Sequence, residues 1–334
     1  MKRSQPKTFS TKFGKLTMKE PYSKRRLFPK HIRGYIDLLR PFTLAAPAIV
    51  SMSIIVASLI YNWRYNGLTI QSDWWFTVGN ASLTIALVNA ASNALNQATD
   101  YEADKISKPY RPIPRGIIRP EEAQSFAYIF YLFALLRAVT LTPWFGFFIF
   151  LIMMFTVTYS LPPRMKQYLF INQIWIAIPR GLLGILASWS VFGDPFHPVP
   201  VIIGLIAMMY FIGAMSTKDI VDSEADKKTG VRTLINTYGT RVTAFISFPF
   251  MFFPFILIPL FIQNNCLESF LWPLTLFGFF PVLIFYLMIE GDAESKTLEN
   301  IHAWSVMYVA YIFFALSFAV LTIFGSIINI PSLL

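Results

Sequence analysis

Long apolar segments recur along this chain from Phe42 to its C-terminal end, and they limit what it can fold into. A helix needs about 20 predominantly apolar residues to cross the hydrocarbon core of a bilayer. Charged residues make up only 14% of the sequence, whereas a typical soluble domain has about 25%. The pattern therefore predicts an all-α, polytopic membrane protein.

The apolar segments predict nine transmembrane helices. They fall near residues 41–61, 76–99, 121–141, 144–160, 172–193, 198–217, 242–262, 268–289 and 301–325. Thr142-Pro143 is expected to join the third and fourth spans through a tight turn. Prolines inside the later spans predict kinks or breaks, because proline cannot donate the amide hydrogen bond of the helix.

Basic residues concentrate on one side of these spans. All but three of the 28 Lys and Arg residues fall in the N-terminal segment or in loops on that side, the exceptions being Arg64, Arg137 and Arg180. Because positive loops are typically cytoplasmic, the N-terminus is predicted to be cytoplasmic and the C-terminus to lie outside. Residues 1–30 are predicted to be a disordered basic arm, either near anionic lipid headgroups or simply solvated. Residues 31–330 are predicted to form one transmembrane domain, with membrane lipids and no nucleic acid as partners.

An acidic hexad occurs twice, as DYEADK from Asp100 to Lys105 and as DSEADK from Asp222 to Lys227. The first copy follows the predicted second span and the other copy follows the predicted sixth span, so both lie on the predicted cytoplasmic face. This correspondence predicts two related four-helix halves with a ninth helix appended.

Each hexad extends into a series of polar side chains that share one helix face. The first acidic series has spacing i, i+4, i+8, and the second has spacing i, i+3, i+7. They are Asn96, Asp100 and Asp104, and Asp219, Asp222 and Asp226. Glu102 and Glu224 are expected to point away from these faces.

Like charges at such spacings repel, and a membrane boundary adds a desolvation cost. A bound cation relieves both effects. Carboxylate and amide oxygens suit Mg²⁺, which fills its other positions with water and phosphate oxygens. The two series therefore predict a magnesium site that binds a diphosphate, the alternative being ordinary solvated helix ends.

The segments NQATDYEADKISKPYRPIPRG and KDIVDSEADKKTGVRTL resemble two motifs of the UbiA superfamily of intramembrane prenyltransferases. The resemblance extends over about residues 33–325. It implies a nine-helix fold, Mg²⁺ as cofactor, and transfer of an isoprenyl chain from its diphosphate to a lipophilic acceptor.

By this resemblance the two acidic series bind the metal and the diphosphate, and their five aspartates are catalytic. Further residues expected to contact the diphosphate are Arg40, Arg111, Tyr159, Arg164, Lys166 and Lys218. The sequence departs from the family pattern at Gln97, where many members have Asp, and at Ala225, where glycine is common.

The sequence leaves several classes of acceptor as alternatives. SKPYRPIPRG resembles chlorophyll-synthase-like members, whereas KDIVDSEADKKTG resembles archaeal ether-lipid members that prenylate geranylgeranylglyceryl phosphate. Enzymes that prenylate quinone precursors are a further alternative. The first two classes use C20 donors, so geranylgeranyl diphosphate is the expected donor. A transporter that uses membrane carboxylates is the non-enzyme alternative, although such proteins place their acids near the bilayer midplane.

Arg180 lies inside the predicted fifth span, in AIPRGLLG. An uncompensated charge at that depth is costly. Arg180 is therefore expected either to meet an anionic group of the acceptor or to pair with an acid of the chain itself. Arg137 lies nearer the outer end of its span and is expected to extend to the interface.

Overall fold

The computed structural model describes residues 8–11, 14–17, 29–290, 296–297 and 300–325. The predicted basic arm lies largely outside these residues. Its described part is an antiparallel hairpin of β1 (Thr8–Thr11) and β2 (Gly14–Thr17). A second short hairpin pairs β3 (Lys296–Thr297) with β4 (Asn300–Ile301).

Helices make up most of the rest of the described chain. Those that precede the midpoint are α1 (Lys30–Leu39), α2 (Pro41–Tyr65), α3 (Trp74–Thr99), α4 (Tyr101–Ser107), α5 (Pro120–Val139) and α6 (Pro143–Ser160). A 3₁₀ turn (Met165–Gln167) leads to α7 (Ile171–Ala177), a π-helix (Ile178–Leu183), α8 (Gly184–Trp189), α9 (Pro198–Ala214) and α10 (Ser216–Lys228). The last are α11 (Leu234–Ile256), α12 (Ile258–Gln263), a 3₁₀ helix (Ser269–Gly278), α13 (Phe279–Ile289) and α14 (His302–Phe324).

Within the described residues, 7 helical segments are long and apolar enough to cross a membrane. They are Pro41–Tyr65, Pro143–Ser160, Ile171–Trp189, Pro198–Lys228, Leu234–Gln263, Ser269–Ile289 and His302–Phe324. The prediction of an all-α polytopic membrane protein is confirmed, but the predicted count of nine spans is not.

The difference arises at α3 and α5, which occupy two of the predicted spans. The helix α3 has amide side chains at Asn80, Asn89 and Asn93, among others, and α5 begins with Glu121 and Glu122. These polar residues lower the mean hydropathy of both helices. The three asparagines are partly or fully buried within the protein, whereas Glu121 is exposed, so composition alone does not separate such a helix from a water-exposed one.

Some prolines interrupt the helices as the sequence predicts, whereas Pro249 and Pro254 lie inside α11 without breaking it. Pro179 lies in the π-helix, where the amide hydrogen bond that it cannot donate is accommodated by a wider turn. Pro259 follows the break at Leu257, between α11 and α12. Thr142 accepts a hydrogen bond from the backbone nitrogen of Phe145 at 3.0 Å and so caps α6 at the predicted tight turn.

The buried apolar side chains form two clusters. One is built mainly by α3, α5 and α6, and the other mainly by α9, α11, α13 and α14. The helix α2 lies between them, because Ile55 belongs to the first cluster and Ile54 to the second. Neighbouring residues of one helix thus face two separate cores.

The short helix α1 is fastened to α3 by amide side chains. Gln97 Nε2 donates to the carbonyl of Leu38 at 2.7 Å, and Asn93 Nδ2 donates to that of Leu39 at 3.1 Å. Ile32 and Ile36 are exposed on the same short helix. The chain then passes through Arg40, whose φ of 54° lies in the left-handed region, into α2.

The helices α9 and α11 approach closely at Gly213. A Cβ atom at this position would lie 2.4 Å from the carbonyl oxygen of Ser247 and 2.6 Å from Cγ of Met251. The hydroxyls of Ser216 and Ser247 are also 3.0 Å apart and hydrogen-bonded. The backbones can pack at this distance only because residue 213 has no side chain.

We expect Gly213→Ala to lower the thermal unfolding midpoint of the detergent-solubilised protein. Overpacking of this kind costs about 1–3 kcal/mol. Gly79→Ala in α3 is the matched control, because nothing lies within 4 Å of a Cβ atom there. Alanine favours a helix over glycine by about 1 kcal/mol, so the control should keep or raise the midpoint. Equal midpoints for the two variants would contradict the close packing.

Candidate active site

One cavity receives both acidic series. Its lining comes from α2, α3, α4, α6, α7, α10 and α14, among other segments. It includes 11 of the 12 residues predicted for the site. These are Arg40, Asn96, Asp100, Asp104, Arg111, Tyr159, Lys166, Lys218, Asp219, Asp222 and Asp226. The twelfth, Arg164, lies behind the lining and contacts Asp100.

The sequence predicted that the first acidic series lies on one continuous helix, but the structure divides it between two helices. The helix α3 ends before Asp100, and α4 begins after it. The helical hydrogen bonds nevertheless continue through the break, from Asp100 N to Asn96 O at 2.9 Å and from Asp104 N to Asp100 O at 2.8 Å. The spacing is preserved, and Asn96 Nδ2 donates to Asp100 Oδ2 at 2.9 Å.

Asp100 is held by two cations from the segment that follows α6. Lys166 Nζ donates to Asp100 Oδ1, and Arg164 Nη2 donates to the same oxygen at 3.1 Å. Burial opposes ionisation of this carboxyl group, but the two cations outweigh it and hold the pKa of Asp100 below its ordinary value. The carboxylate is therefore ionised at neutral pH.

Asp104 forms a buried ion pair with Arg111. The guanidinium Nη1 donates to both carboxylate oxygens, at 2.9 and 2.8 Å. Both side chains are almost fully buried, at 6% and 5% exposure. The proline-rich loop that follows α4 thus turns Arg111 inward to the cavity, as the sequence predicts, and away from the lipid headgroups.

The second acidic series is also interleaved with cations. Lys108 Nζ donates to Asp222 Oδ1 and so joins the segment after α4 to α10. Lys218 Nζ lies 3.1 Å from Asp219 Oδ1 and donates to the hydroxyl of Tyr159 at 3.0 Å. The other oxygen of Asp219 is buried and has no hydrogen-bond partner among the described residues.

Sequence reasoning missed Lys108 as a site residue, because it counted that residue only toward loop charge. A signal was available. Lys108 follows Asp104 by one helical turn and precedes Arg111 by three residues, so it extends the same face. A cation at that position is well placed to reach an opposing acidic helix.

The two glutamates that were expected to point away from the acidic series are directed away from them. Glu102 and Glu224 are exposed, and each pairs with a lysine of its own helix, at 2.9 Å to Lys105 and 2.6 Å to Lys228. Gln97, which replaces an aspartate common in the family, is buried toward α1 rather than lining the cavity. The absence of that carboxylate therefore removes no group from the cavity.

Within the described part of the chain, no group of three or more His, Cys, Asp or Glu residues is preassembled around a single metal position. The reason lies in the ion pairs above. Lysine and arginine side chains contact four of the five aspartates, namely Asp100, Asp104, Asp219 and Asp222. The acids therefore line one cavity but do not converge on a single metal position.

Apolar side chains form a large part of the remaining lining of the cavity. They include Ile149 and Ile152 of α6, Trp175 of α7, Phe211 of α9 and Trp304 of α14. Such a cavity accepts both an anionic group and an apolar chain. These features define a membrane-embedded enzyme that acts on a molecule with both parts.

Residues 67–306 match the UbiA prenyltransferase family, and the chain belongs to this family. It is therefore a prenyltransferase, as the two motifs predicted. The chain is similar to a digeranylgeranylglyceryl phosphate synthase of Methanosphaera stadtmanae, with 25% identity over 84% of this chain and 98% of the relative. It is also similar to a chloroplastic homogentisate solanesyltransferase of Arabidopsis thaliana, with 32% identity over 62% of this chain and 55% of the relative.

Solved structures show the same fold. A UbiA homologue from Archaeoglobus fulgidus bound to GPP and Mg²⁺ aligns with a TM-score of 0.61 at 18% identity, over 87% of this chain and 99% of that one. A structure described for digeranylgeranylglyceryl phosphate synthase aligns with a TM-score of 0.57 at 21% identity, over 86% of this chain and 100% of that one.

We expect Arg111→Lys to raise the KM for the prenyl diphosphate by at least about tenfold and to lower kcat. A planar guanidinium can hold two oxygens at once, whereas a lysine ammonium cannot reproduce that geometry. Loss of one charged hydrogen bond corresponds to about a tenfold change or more. Steady-state transfer against donor concentration measures the effect.

Arg119→Lys is the matched control for this prediction. Its side chain is 83% exposed, and its nearest acid, Glu122, is 4.0 Å away. Donor kinetics should therefore stay close to wild type. Equally mild effects of the two substitutions would show that Arg111 does not contact the donor. Thermal unfolding of both variants separates a loss of function from a loss of the buried ion pair with Asp104.

Proposed function

We propose that this enzyme transfers a geranylgeranyl chain from its diphosphate to geranylgeranylglyceryl phosphate within the membrane, as a step of ether-lipid synthesis. The observation that carries the proposal is that two acidic series, with their cations, line one cavity that also has many apolar side chains in its walls. The similarity to the digeranylgeranylglyceryl phosphate synthase of Methanosphaera stadtmanae, which this chain covers almost completely, supports this acceptor.

Mg²⁺ fits the residues of this site. The donor set consists of carboxylate and amide oxygens, which are the ligands of a hard cation. Asp219 Oδ2 is buried without a partner among the described residues, so the site has an unused metal-binding oxygen. We infer that the two acidic series would hold Mg²⁺ together with phosphate oxygens of the donor. When bound, the metal supplies positive charge against the departing diphosphate.

The basic residues of the site bind the diphosphate in this proposal. Arg111, Lys166 and Lys218, with Arg40, Arg164 and the Tyr159 hydroxyl, would exchange their present partners for diphosphate oxygens. The bond between C1 of the chain and the diphosphate oxygen breaks, and these cations stabilise the charge that develops on that oxygen. Their protein ion pairs keep them in position before the substrate arrives.

The apolar walls protect the allylic cation that remains. Water would capture that cation, so an enclosed, dry chamber favours attack by the acceptor. The acceptor hydroxyl oxygen forms the new bond to C1, and its proton passes to the departing diphosphate. The products are the prenylated acceptor and diphosphate.

We further propose that α3 and α5 cross the membrane together with the 7 apolar segments, which gives nine spans in two related halves and one added helix. The concentration of Lys and Arg on one side supports a cytoplasmic N-terminus and a site that opens to the cytoplasm. In this arrangement residues 31–330 form the catalytic domain. The basic arm precedes it on the cytoplasmic side.

Other acceptors compete with this proposal. The plant relative is named for homogentisate, and part of the first motif resembles chlorophyll-synthase-like members. The decisive experiment incubates purified protein, Mg²⁺ and radiolabelled geranylgeranyl diphosphate with each acceptor in turn. A labelled lipid with geranylgeranylglyceryl phosphate alone supports the proposal, whereas a product only with homogentisate or chlorophyllide overturns it.

We expect Asp100→Ala and Asp222→Ala each to lower transfer by at least about a thousandfold. Each removes a carboxylate from one acidic series, and the two series are expected to act on the same diphosphate. Glu102→Ala and Glu224→Ala are the matched controls, because each lies two residues after the corresponding aspartate but is exposed. Product formation per hour at saturating donor measures all four variants. Wild-type rates for either aspartate variant would refute joint action of the series.

Removal of divalent metal should abolish transfer, and Mg²⁺ should restore it. Without the metal, the departing diphosphate and the acidic series are both anionic and repel each other. The measurement is product formation after dialysis against a chelator and again after Mg²⁺ is added back. Turnover that persists at full rate in the chelator would remove the metal from the proposed function.

A further inference from the structure

Arg180 lies in the π-helix between α7 and α8, well inside the segment Ile171–Trp189 that is long enough to span a membrane. The wide turn follows from Pro179, which cannot donate a backbone hydrogen bond. π-helical turns inside α-helices are frequent at functional sites. The turn is fixed on its other side, because a Cβ atom at Gly181 would lie 2.4 Å from the backbone of Met208 in α9. The position of Arg180 is thus set by close backbone packing.

Arg180 lines the same cavity as the two acidic series. Its Nη1 donates to the hydroxyl of Tyr308 at 2.8 Å, and the hydroxyl of Tyr311 donates to its backbone carbonyl at 2.9 Å. Among the described residues no carboxylate lies within ion-pair distance of its guanidinium. The internal acid that the sequence left open as a partner is therefore absent from this part of the chain.

Arg137 shows how an arginine with a structural role is accommodated in the same fold. It donates to Asn80 and Thr84 of α3, and its guanidinium lies 5.5 Å from the centre of the Phe133 ring. Several of its donors are therefore satisfied, and it does not line the cavity. Arg180 has a single hydrogen-bond acceptor, Tyr308, in the described structure.

Four other cations of the cavity are matched to carboxylates. Lys108, Lys166 and Lys218 each pair with an aspartate, as does Arg111. Arg180 instead presents a guanidinium with no acid beside it to the less polar part of the cavity. A guanidinium has five N–H donors and binds phosphate or carboxylate groups through two of them at once.

We propose that Arg180 binds the anionic group of the acceptor, a phosphate monoester or a carboxylate, and so selects anionic acceptors. This inference rests on the proposed function, since it assigns the acceptor to the cavity that holds the donor. The anionic group of the acceptor takes the place of a carboxylate partner for Arg180. This contact orients the hydroxyl of the acceptor toward the donor. Tyr308 positions the guanidinium from α14.

The test compares Arg180→Met and Arg180→Lys with Arg137→Met in the full-length protein. Two readouts are used: the shift in thermal unfolding midpoint on adding each ligand, and steady-state transfer. The acceptor probes are geranylgeranylglyceryl phosphate, homogentisate and the neutral geranylgeranylglycerol. The donor probe is geranylgeranyl diphosphate with Mg²⁺.

Arg180→Met should abolish the midpoint shift given by the anionic acceptor and raise its KM by at least about tenfold, the effect of losing a charged hydrogen bond. The shift given by donor and Mg²⁺ should persist. The KM of Arg180→Lys for the anionic acceptor should lie between those of wild type and Arg180→Met. The acceptor KM of Arg137→Met should match that of wild type. A loss confined to geranylgeranylglyceryl phosphate identifies a phosphate site, and a loss confined to homogentisate identifies a carboxylate site.

The proposal is overturned if Arg180→Met keeps the wild-type midpoint shift and KM for the anionic acceptor. It is also overturned if binding of the neutral acceptor is weakened as much as binding of the anionic acceptor. Tyr308→Phe tests the same proposal in case the Arg180→Met variant does not fold. It removes the single acceptor of Arg180 and should weaken anionic acceptors several-fold while leaving the donor shift intact. If wild-type protein makes no prenylated product with any acceptor, the proposed function fails. The ligand-induced midpoint shifts still decide the role of Arg180 in that case.

Discussion

Balance of buried charge at one end of the cavity is the interaction on which the rest of this structure depends. Five aspartates lie at or near the ends of membrane helices, where water is scarce and an uncompensated carboxylate is costly. Lysine and arginine side chains from distant segments provide the compensation. Lys108 joins the first acidic region to α10, and Lys166 joins the segment after α6 to Asp100. The pair of Lys108 and Asp222 therefore connects the two halves of the protein across the cavity, and the pair of Lys166 and Asp100 joins two segments of one half.

Such pairs also suit a site that must exchange partners. A buried ion pair contributes little net stability, whereas removal of one partner is strongly unfavourable. A diphosphate with a divalent cation offers a new anion to the lysines and a new cation to the aspartates. Both sides can therefore change partners together without leaving a bare charge. Arg180 differs from these residues because the chain provides it with a tyrosine and no acid in the described structure.

The sequence allowed the general fold and most of the site to be predicted, because both depend on local patterns. Apolar segments of membrane length mark the helices, and repeated acids at helical spacing mark the two series that meet in one cavity. Exposure of Glu102 and Glu224 followed from the same spacing. The break at Asp100 could not be predicted, since the helical hydrogen bonds continue through it and the spacing is unchanged. The pairing of Lys108 with Asp222 depends on tertiary contact over 114 residues, which no local pattern encodes.

The attachment of α1 has a mechanical consequence for the donor site. Its exposed isoleucines face away from the protein, and its C-terminal carbonyls are bonded to Gln97 and Asn93. Those amides lie on α3 just before Asp100, and Arg40 follows α1 directly in the chain. A tilt or sideways displacement of α1 therefore cannot leave both Arg40 and the end of α3 in place. The two amide side chains thus couple the position of α1 to that of the residues that line the charged end of the cavity.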